Sequence, residues 1–439
     1  MGRALLTDFY ELTMAASYLR RGMTAPATFS LFVRRLPPTR GFLVAAGLEE
    51  CLEFLEAFRF EEEDLAYLTS LGFADEVLEA FASLRFSGDV WAIPEGRVVL
   101  AEEPLLEVTA PMPEAQLVET YLLNKISFHT AVASKAARCV LAAQGRFELV
   151  DFGLRRTQGL EAGMAAARAS AMVGFGATSN VEAARRYGLT PSGTMAHSYV
   201  EAFPREIDAF RAFAGDFPER TTFLVDTYDT LTGVTRAIEV IRDLGLEHHA
   251  AIRLDSGDLS ALARGARRLL DDAGLTEVRI VVSGNLDEHR LARLVQDGAP
   301  VDVAGVGTRM GVSADAPYLD TAYKLVAYDG RPVAKLSTDK ATYPGAKQVF
   351  RAAGLRDTLG LRDEAPPPGS DPILEPVMEG GRRLRGSEDL EVQRRRYESD
   401  AAQLPGSATE LVESIAPTAG VSVALASLTE GVRSGVRWE

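Results

Sequence analysis

Two rhythms of apolar and polar positions divide this chain. From residue 1 to about 110 the pattern is mixed. Strand-like runs (TFSLFVRRL, VWAI, RVVLAEEPLLEVTA) follow an amphipathic start, and an acidic helical stretch lies at Glu61 to Ser83. Pro94, Gly96, Pro104 and Pro111 punctuate the later runs, which predicts short antiparallel strands. From Pro113 to Gln144 apolar residues fall at helical spacing, and Gly145 supplies the stop. Then a regular alternation sets in. Short apolar runs (FELVDFG, TFLVDTY, HAAIRLDSG, VRIVVSGN, VDVAGVG) alternate with helical segments at 160–173, 181–187, 198–213, 231–244, 258–273 and 287–297. Such alternation predicts parallel βαβ units.

The polar residues of this second region gather at the C-terminal ends of the apolar runs: Arg155, Asn180, His197, Asp226 with Asp229, Asp255 with Asp258, Asn285 and Thr308. An open doubly wound sheet collects its ligand at one switch point, whereas a barrel draws residues from many strand ends around one mouth. The pattern therefore predicts an irregular, incomplete TIM-like α/β barrel over 113–330. An α+β N-terminal domain is expected over 1–112. A C-terminal segment and small subdomain are expected over 331–439, part of it packing on the N-terminal domain. Within that last segment DEAPPPGSDP (363–372) reads as a turn or linker and LEVQRRRYESDAAQL as a charged amphipathic helix.

Composition narrows the function. A length of 439 residues exceeds what one core serves, so two or three domains are expected. A net charge of −15 disfavours a nucleic-acid partner, whose phosphates it would repel outside a local basic patch. Two cysteines, Cys51 and Cys139, without a Cys/His cluster exclude a disulfide framework and a zinc knuckle of the usual spacing. The start GRALLTDFYELT lacks the pattern of a signal peptide, and no run of 18 apolar residues appears, so a cytoplasmic protein without a membrane span is expected. There are 41 Arg against 6 Lys, and four of those lysines (Lys324, Lys335, Lys340, Lys347) fall in one segment, as positions where an ammonium geometry is needed would.

Several residues suit specific chemistry, and each has a plainer reading. Asp255 and Asp258 flank a Ser-Gly turn, where carboxylates accept ribose hydroxyls or hold Mg²⁺; Asp258 serves equally well as a helix cap. VVSGNLD and AGVGTR are consecutive Gly-containing strand exits, where backbone N–H groups approach a phosphate, though Gly is common in any turn. His197 in SGTMAHS is either a structural histidine or a nucleophile for a γ-phosphoryl group. Phe152 and Arg155 in DFGLRR suit stacking on and pairing with a planar anion, or a core ring beside a surface cation. Arg34, Arg35 and Arg40 form a basic cluster, which faces phosphates or solvent.

Taken together, DFGLRRTQG, GATSNV, SGTMAHS, IRLDSGD, VSGNLD and GVGTR, with TDFYELTM near the start and KLSTDKATYPGAKQVFR near the end, resemble the nicotinate phosphoribosyltransferase family from about residue 5 to 400. The resemblance implies an N-terminal domain, an irregular α/β barrel and a head-to-tail homodimer with shared sites. It implies ATP-assisted, Mg²⁺-dependent condensation of nicotinate with phosphoribosyl pyrophosphate to nicotinate mononucleotide and pyrophosphate. Carried over motif by motif, Tyr10 (from the second subunit) and Phe152 would sandwich the pyridine, with Arg155 and Arg253 near its carboxylate or the ribose phosphate. Asp255 would hold ribose hydroxyls, and Gly284, Asn285, Gly307 and Thr308 would cradle the 5′-phosphate. His197 would become a phosphohistidine, and Arg34, Lys335 and Lys340 would meet ATP or pyrophosphate. The related nicotinamide enzyme carries an aspartate in the loop written here with Ser179 and Asn180. Uncharged side chains there fit the acid rather than the amide, and Asn180 is expected to make that choice. The alternatives are the nicotinamide enzyme, quinolinate phosphoribosyltransferase, which uses no ATP, and a silent phosphoribosyl-ligand sensor.

Overall fold

The computed structural model describes residues 4–337 and 340–435. The chain forms two compact units: 1–134 together with 316–439, and 135–315.

The first unit is built on a seven-stranded antiparallel sheet. Its strands run in the order Arg331–Pro332, Thr321–Tyr328, Pro26–Val33, Pro104–Pro111, Asp89–Ala92, Glu375–Glu379 and Arg382–Arg383. The short strands expected around 90–109 are present at Asp89–Ala92, Val98–Val99 and Pro104–Pro111. Part of 331–439 packs with the N-terminal residues. Glu375–Glu379 pairs directly with Asp89–Ala92, and Val349, Leu359, Met378 and Leu425 are buried in the same core as Phe29 and Leu31. The segment adds its apolar side chains to that core. Buried ion pairs fasten it. Arg351 bridges Asp357 and Asp400, and Asp400 also accepts from Arg97 and from the backbone N–H of Val98.

In the second unit all seven strands are parallel: β1 Glu148–Asp151, β2 Ala177–Thr178, β3 Thr190–Pro191, β4 Thr222–Leu224, β5 Ala251–Leu254, β6 Arg279–Val282 and β7 Val303–Val306. Their order in the sheet is β3-β2-β1-β7-β6-β5-β4. First and last strands are thus neighbours, as in a barrel, while β3 and β4 are left as the two edges. This is the incomplete TIM-like barrel that the sequence pattern predicts: a curled parallel half-barrel open along one seam. The expected helices appear at Leu160–Val173, Val181–Tyr187, Thr230–Leu244, Leu259–Asp272 and Glu288–Gln296. The segment expected as one helix over 198–213 is instead two, His197–Glu201 and Glu206–Asp216, broken at Pro204, which removes a helical N–H donor and disfavours helix at the preceding residue.

The long helix Glu119–Ala143 enters this unit at Lys135. There Lys135 Nζ donates to Glu288 Oε1 at 2.7 Å and Arg138 Nε to the same oxygen at 3.1 Å, all three side chains being buried. Among the described residues no helix is long and apolar enough to cross a membrane.

Removing one member of a buried ion cluster strands the charge it neutralised. We expect Lys135→Met to lower the unfolding free energy by about 3 kcal/mol, read from the urea midpoint at constant m-value. A change below about 1 kcal/mol would mean that the cluster is solvated like a surface pair.

Candidate functional site

Phe152 leaves β1 with its N–H on Val306 O at 2.8 Å, and its ring packs against Gly305 of β7. Glycine is required beneath it: a Cβ on Gly305 would sit 2.5 Å from the ring, and one on Gly307 2.5 Å from the Phe152 carbonyl oxygen. The other face of the sheet exit meets Arg253, whose guanidinium carbon is 5.8 Å from the ring centroid. Arg155 follows on a single exposed 3₁₀ turn, Leu154–Arg156. A cavity of about 720 Å³ runs through the half-barrel from Glu148, Thr222, Ala251 and Arg279 at the strand starts to Phe152 and Ser179 at the exits.

Asn180 does not face this cavity. It is buried, its side-chain oxygen accepts from Ala183 N at 3.1 Å, and its amide nitrogen donates to Gly163 O at 3.3 Å. It is the N-cap of Val181–Tyr187, and of the two loop residues considered for selectivity Ser179 is the one that lines the cavity. Asp258 resolves the same way: its side chain accepts from Ala261 N at 3.1 Å and caps Leu259–Asp272.

Asp255 is engaged differently. Its Oδ1 accepts from Arg253 Nη2 at 3.0 Å and from Ser283 Oγ at 2.5 Å, and Ser283 in turn accepts from Arg253 Nε at 2.9 Å. Burial opposes ionisation of this carboxyl, but the bonds from Ser283 and Arg253 and the Arg253 charge outweigh it and hold Asp255 below the usual range. His197 Nε2 stands 4.0 Å from Asp255 Oδ2, while Nδ1 lies 3.2 Å from Thr227 Oγ1. Asp226 is a site residue to which the strand-end pattern gave no role. Its Oδ2 accepts from Asp255 N at 3.0 Å and Ser256 Oγ at 2.6 Å, and its Oδ1 is buried with no protein partner. The signal was its position in TFLVDTY, equivalent to Asp255 one strand along.

The next two exits are tight turns. Gly284 has φ 97°, and a Cβ there would fall 1.9 Å from Asp255 O; Asn285 has φ 54°. Gly307 and Thr308 open a short turn whose Arg309 pairs with Asp287. Among the described residues no group of three His, Cys, Asp or Glu side chains is arranged to hold a metal ion.

The remaining candidates lie in the first unit. Arg34 pairs with Asp320 at 2.9 Å. Lys324 is shifted down by burial, and the charges of Arg34, Lys335 and Lys340 add to the shift, so these four cations share one neighbourhood. Lys347, the fourth lysine of the segment, is buried instead against Glu107 at 3.1 Å. Tyr10 is exposed on the helix Phe9–Arg20; burial of its hydroxyl and the charges of Glu119, Glu11 and Asp8 push its pKa up. Beside it, Thr120 Oγ1 lies 2.6 Å from Glu11 Oε1 and 3.0 Å from Asp8 Oδ2. One hydroxyl proton cannot serve two carboxylates, and burial pushes the Glu11 carboxyl up to about 7.

A carboxyl raised in the folded state binds more protons there than in the unfolded chain. Its stabilising contribution is therefore complete below its unfolded value near 4.5 and is lost as pH rises through about 7. We expect the thermal midpoint of Glu11→Gln, relative to the parent protein, to climb between pH 5 and pH 8; a pH-independent difference would contradict the shift.

Two family models match the chain: the nicotinate phosphoribosyltransferase (NAPRTase) N-terminal domain over residues 5–127 and the nicotinate phosphoribosyltransferase (NAPRTase) family over residues 147–359. The nicotinate phosphoribosyltransferase pncB2 of Mycobacterium tuberculosis is 52% identical over 388 residues, 87% of this chain and 83% of that protein. The crystal structure of human nicotinic acid phosphoribosyltransferase superposes with a TM-score of 0.86 at 31% identity, covering 97% of this chain and 99% of that one. That of nicotinate-nucleotide pyrophosphorylase from Pyrococcus furiosus gives 0.76 at 25% identity, over 91% and 95% of the two chains.

Proposed function

Since the chain belongs to the nicotinate phosphoribosyltransferase family, we propose that it condenses nicotinate with phosphoribosyl pyrophosphate to nicotinate mononucleotide and pyrophosphate, assisted by ATP through a transient phosphohistidine at His197. One observation carries the reading. The Phe152 ring on its glycine bed, the Arg253–Ser283–Asp255 network and His197 all stand at the strand exits of one half-barrel.

The roles follow from the geometry. Phe152 offers its face to the pyridine, and Arg253 and Arg155 supply positive charge for the carboxylate or the ribose phosphate. Ser179, uncharged at the cavity wall, leaves room for an acid where an aspartate would repel it. Asp255, held ionised, accepts from the ribose hydroxyls. The tight turns at Gly284, Asn285, Gly307 and Thr308 bring backbone close to the 5′-phosphate. The buried, unpartnered Asp226 Oδ1 beside Asp255 fits Mg²⁺, which these carboxylates would hold directly or through water and which neutralises pyrophosphate charge when bound. In-line displacement at C1′ then needs the pyridine nitrogen held opposite the leaving pyrophosphate, and that is the work of the aromatic platform.

At His197 the imidazole lone pair attacks the γ-phosphorus of ATP. A P–N bond forms, the P–O bond to ADP breaks, and the imidazolium proton is released; water later cleaves the P–N bond to phosphate. Arg34, Lys335 and Lys340, gathered near Lys324, suit the polyphosphates. The same reading makes the enzyme a cytoplasmic head-to-tail homodimer in which the exposed Tyr10 of one copy closes on the Phe152 of the other.

Incubating nicotinate, phosphoribosyl pyrophosphate and Mg²⁺ with and without ATP tests the proposal. The mononucleotide is expected in both cases, faster with ATP, and no product in either sinks it. His197→Ala is expected to keep slow ATP-independent synthesis and lose ATP stimulation. Ser179→Asp should lower kcat/KM for nicotinate by about a hundredfold, since like charges about 5 Å apart at an effective dielectric near 20 repel by on the order of 3 kcal/mol. The same change should improve nicotinamide relative to nicotinate; an unchanged ratio would remove Ser179 from selectivity.

A further inference from the structure

We propose that Asp151 is a positioning residue for pyridine recognition, its carboxylate fixing the exits of β1 and β2 against each other and so setting the spacing between the Phe152 ring and Ser179. The inference rests on the reading of Phe152 and Ser179 given above.

Asp151 is fully buried at the last position of β1, immediately before Phe152. Its two oxygens point to two different strand exits. Oδ1 accepts from the N–H of Gly153 at 2.8 Å, and Oδ2 accepts from Thr178 Oγ1, on β2, at 2.7 Å. The Thr178 hydroxyl, also buried, accepts from Asn180 N at 3.0 Å, and the Asp151 carbonyl oxygen accepts from Ser179 N at 2.8 Å. One residue thus bonds Gly153, Thr178 and Ser179 directly, and reaches Asn180 through the Thr178 hydroxyl.

Little else can set that spacing. The ladder between β1 and β2 has two residue pairs, Val150 with Ala177 and Asp151 with Thr178, and both chains leave the sheet directly afterwards. Gly153 is fitted to the arrangement, because a Cβ there would lie 2.9 Å from Asp151 Oδ1 and push the carboxylate away. Burying a carboxylate is costly unless it is fully hydrogen-bonded, and at a sheet position an apolar side chain would serve stability as well. Here burial pushes the carboxyl up while the bonds from Thr178 and Gly153 pull it back. The carboxylate provides what an apolar residue cannot: two directional bonds that tie a backbone amide on one exit to a side chain on the next. If the exits drift by a fraction of an ångström, the ring and the selectivity wall no longer grip one pyridine, while the turn at Gly284, beyond β6, is not touched by Asp151.

Steady-state kinetics on Asp151→Asn and Thr178→Val test this, with thermal midpoints measured alongside. In Asp151→Asn the KM for nicotinate is expected to rise about tenfold to a hundredfold, the scale of a misplaced reactant, with the KM for phosphoribosyl pyrophosphate moving less than about twofold. Thr178→Val removes only one hydroxyl and should show the same selective rise at smaller size, which keeps the test open if Asp151→Asn does not fold. The double variant should show less than the product of the two single rises, because both changes act on the one link between Asp151 and Thr178. Discrimination of nicotinate from nicotinamide should narrow in each. A lowered thermal midpoint with an unmoved nicotinate KM, or an equal rise in both KM values, overturns the inference and leaves Asp151 a structural group. A parent enzyme that makes no mononucleotide overturns instead the reading beneath it.

Discussion

The parallel pairing of β1 with β7 is the contact on which the site depends. It joins the first and last strands of the second unit, Glu148–Asp151 with Val303–Val306, so that the strand order runs round in one direction as in a barrel. Without it, DFGLRR and GVGTR would lie at opposite ends of an open sheet. With it, Phe152 rests on Gly305 and Gly307, and its ring adjoins the tight turn that opens at Gly307. Backbone hydrogen bonds set the register, and two absent side chains set the distance.

Around that contact, polar groups divide between those that hold the scaffold and those left for chemistry. Arg253 spends donors on Ser283, Asp255, Thr194 and Met195 O, so it arrives at Phe152 already oriented. Asp255 is kept ionised by the same bonds. His197 differs: it is part-exposed at the start of a five-residue helix, with Thr227 its one hydrogen-bond contact among the described residues. A rigid cation and acid thus stand beside a more loosely held imidazole, as the phosphohistidine proposed above would need.

The half-barrel was legible from the sequence because each strand run is short, apolar and followed by a helical period, a pattern that local chemistry alone enforces. The roles of single polar residues were less so. Asn180 and Asp258 stand at strand exits like Asp255 does, yet both are helix caps, because the residue that ends a strand–helix turn is also the one that must satisfy the helix N–H groups. Asp226 was visible only as one more acid; its significance lies in an unpaired oxygen, which no spacing reveals. The C-terminal segment read as a small subdomain, part of it packing on the N-terminal domain, and the proline-rich stretch at 363–372 as a turn or linker. Its partners, Asp89–Ala92 and Arg97, lie about three hundred residues earlier in the chain, and no local pattern encodes a pairing at that range.

The open seam between β3 and β4 has a further consequence. A closed eight-stranded barrel packs its interior with its own side chains, but this one leaves about 720 Å³ unfilled beside Phe152 and Val281. A ligand bound there would complete the packing, and by mass action would raise the resistance of the folded protein to heat and proteolysis. The lifetime of the folded chain would then follow the supply of that ligand.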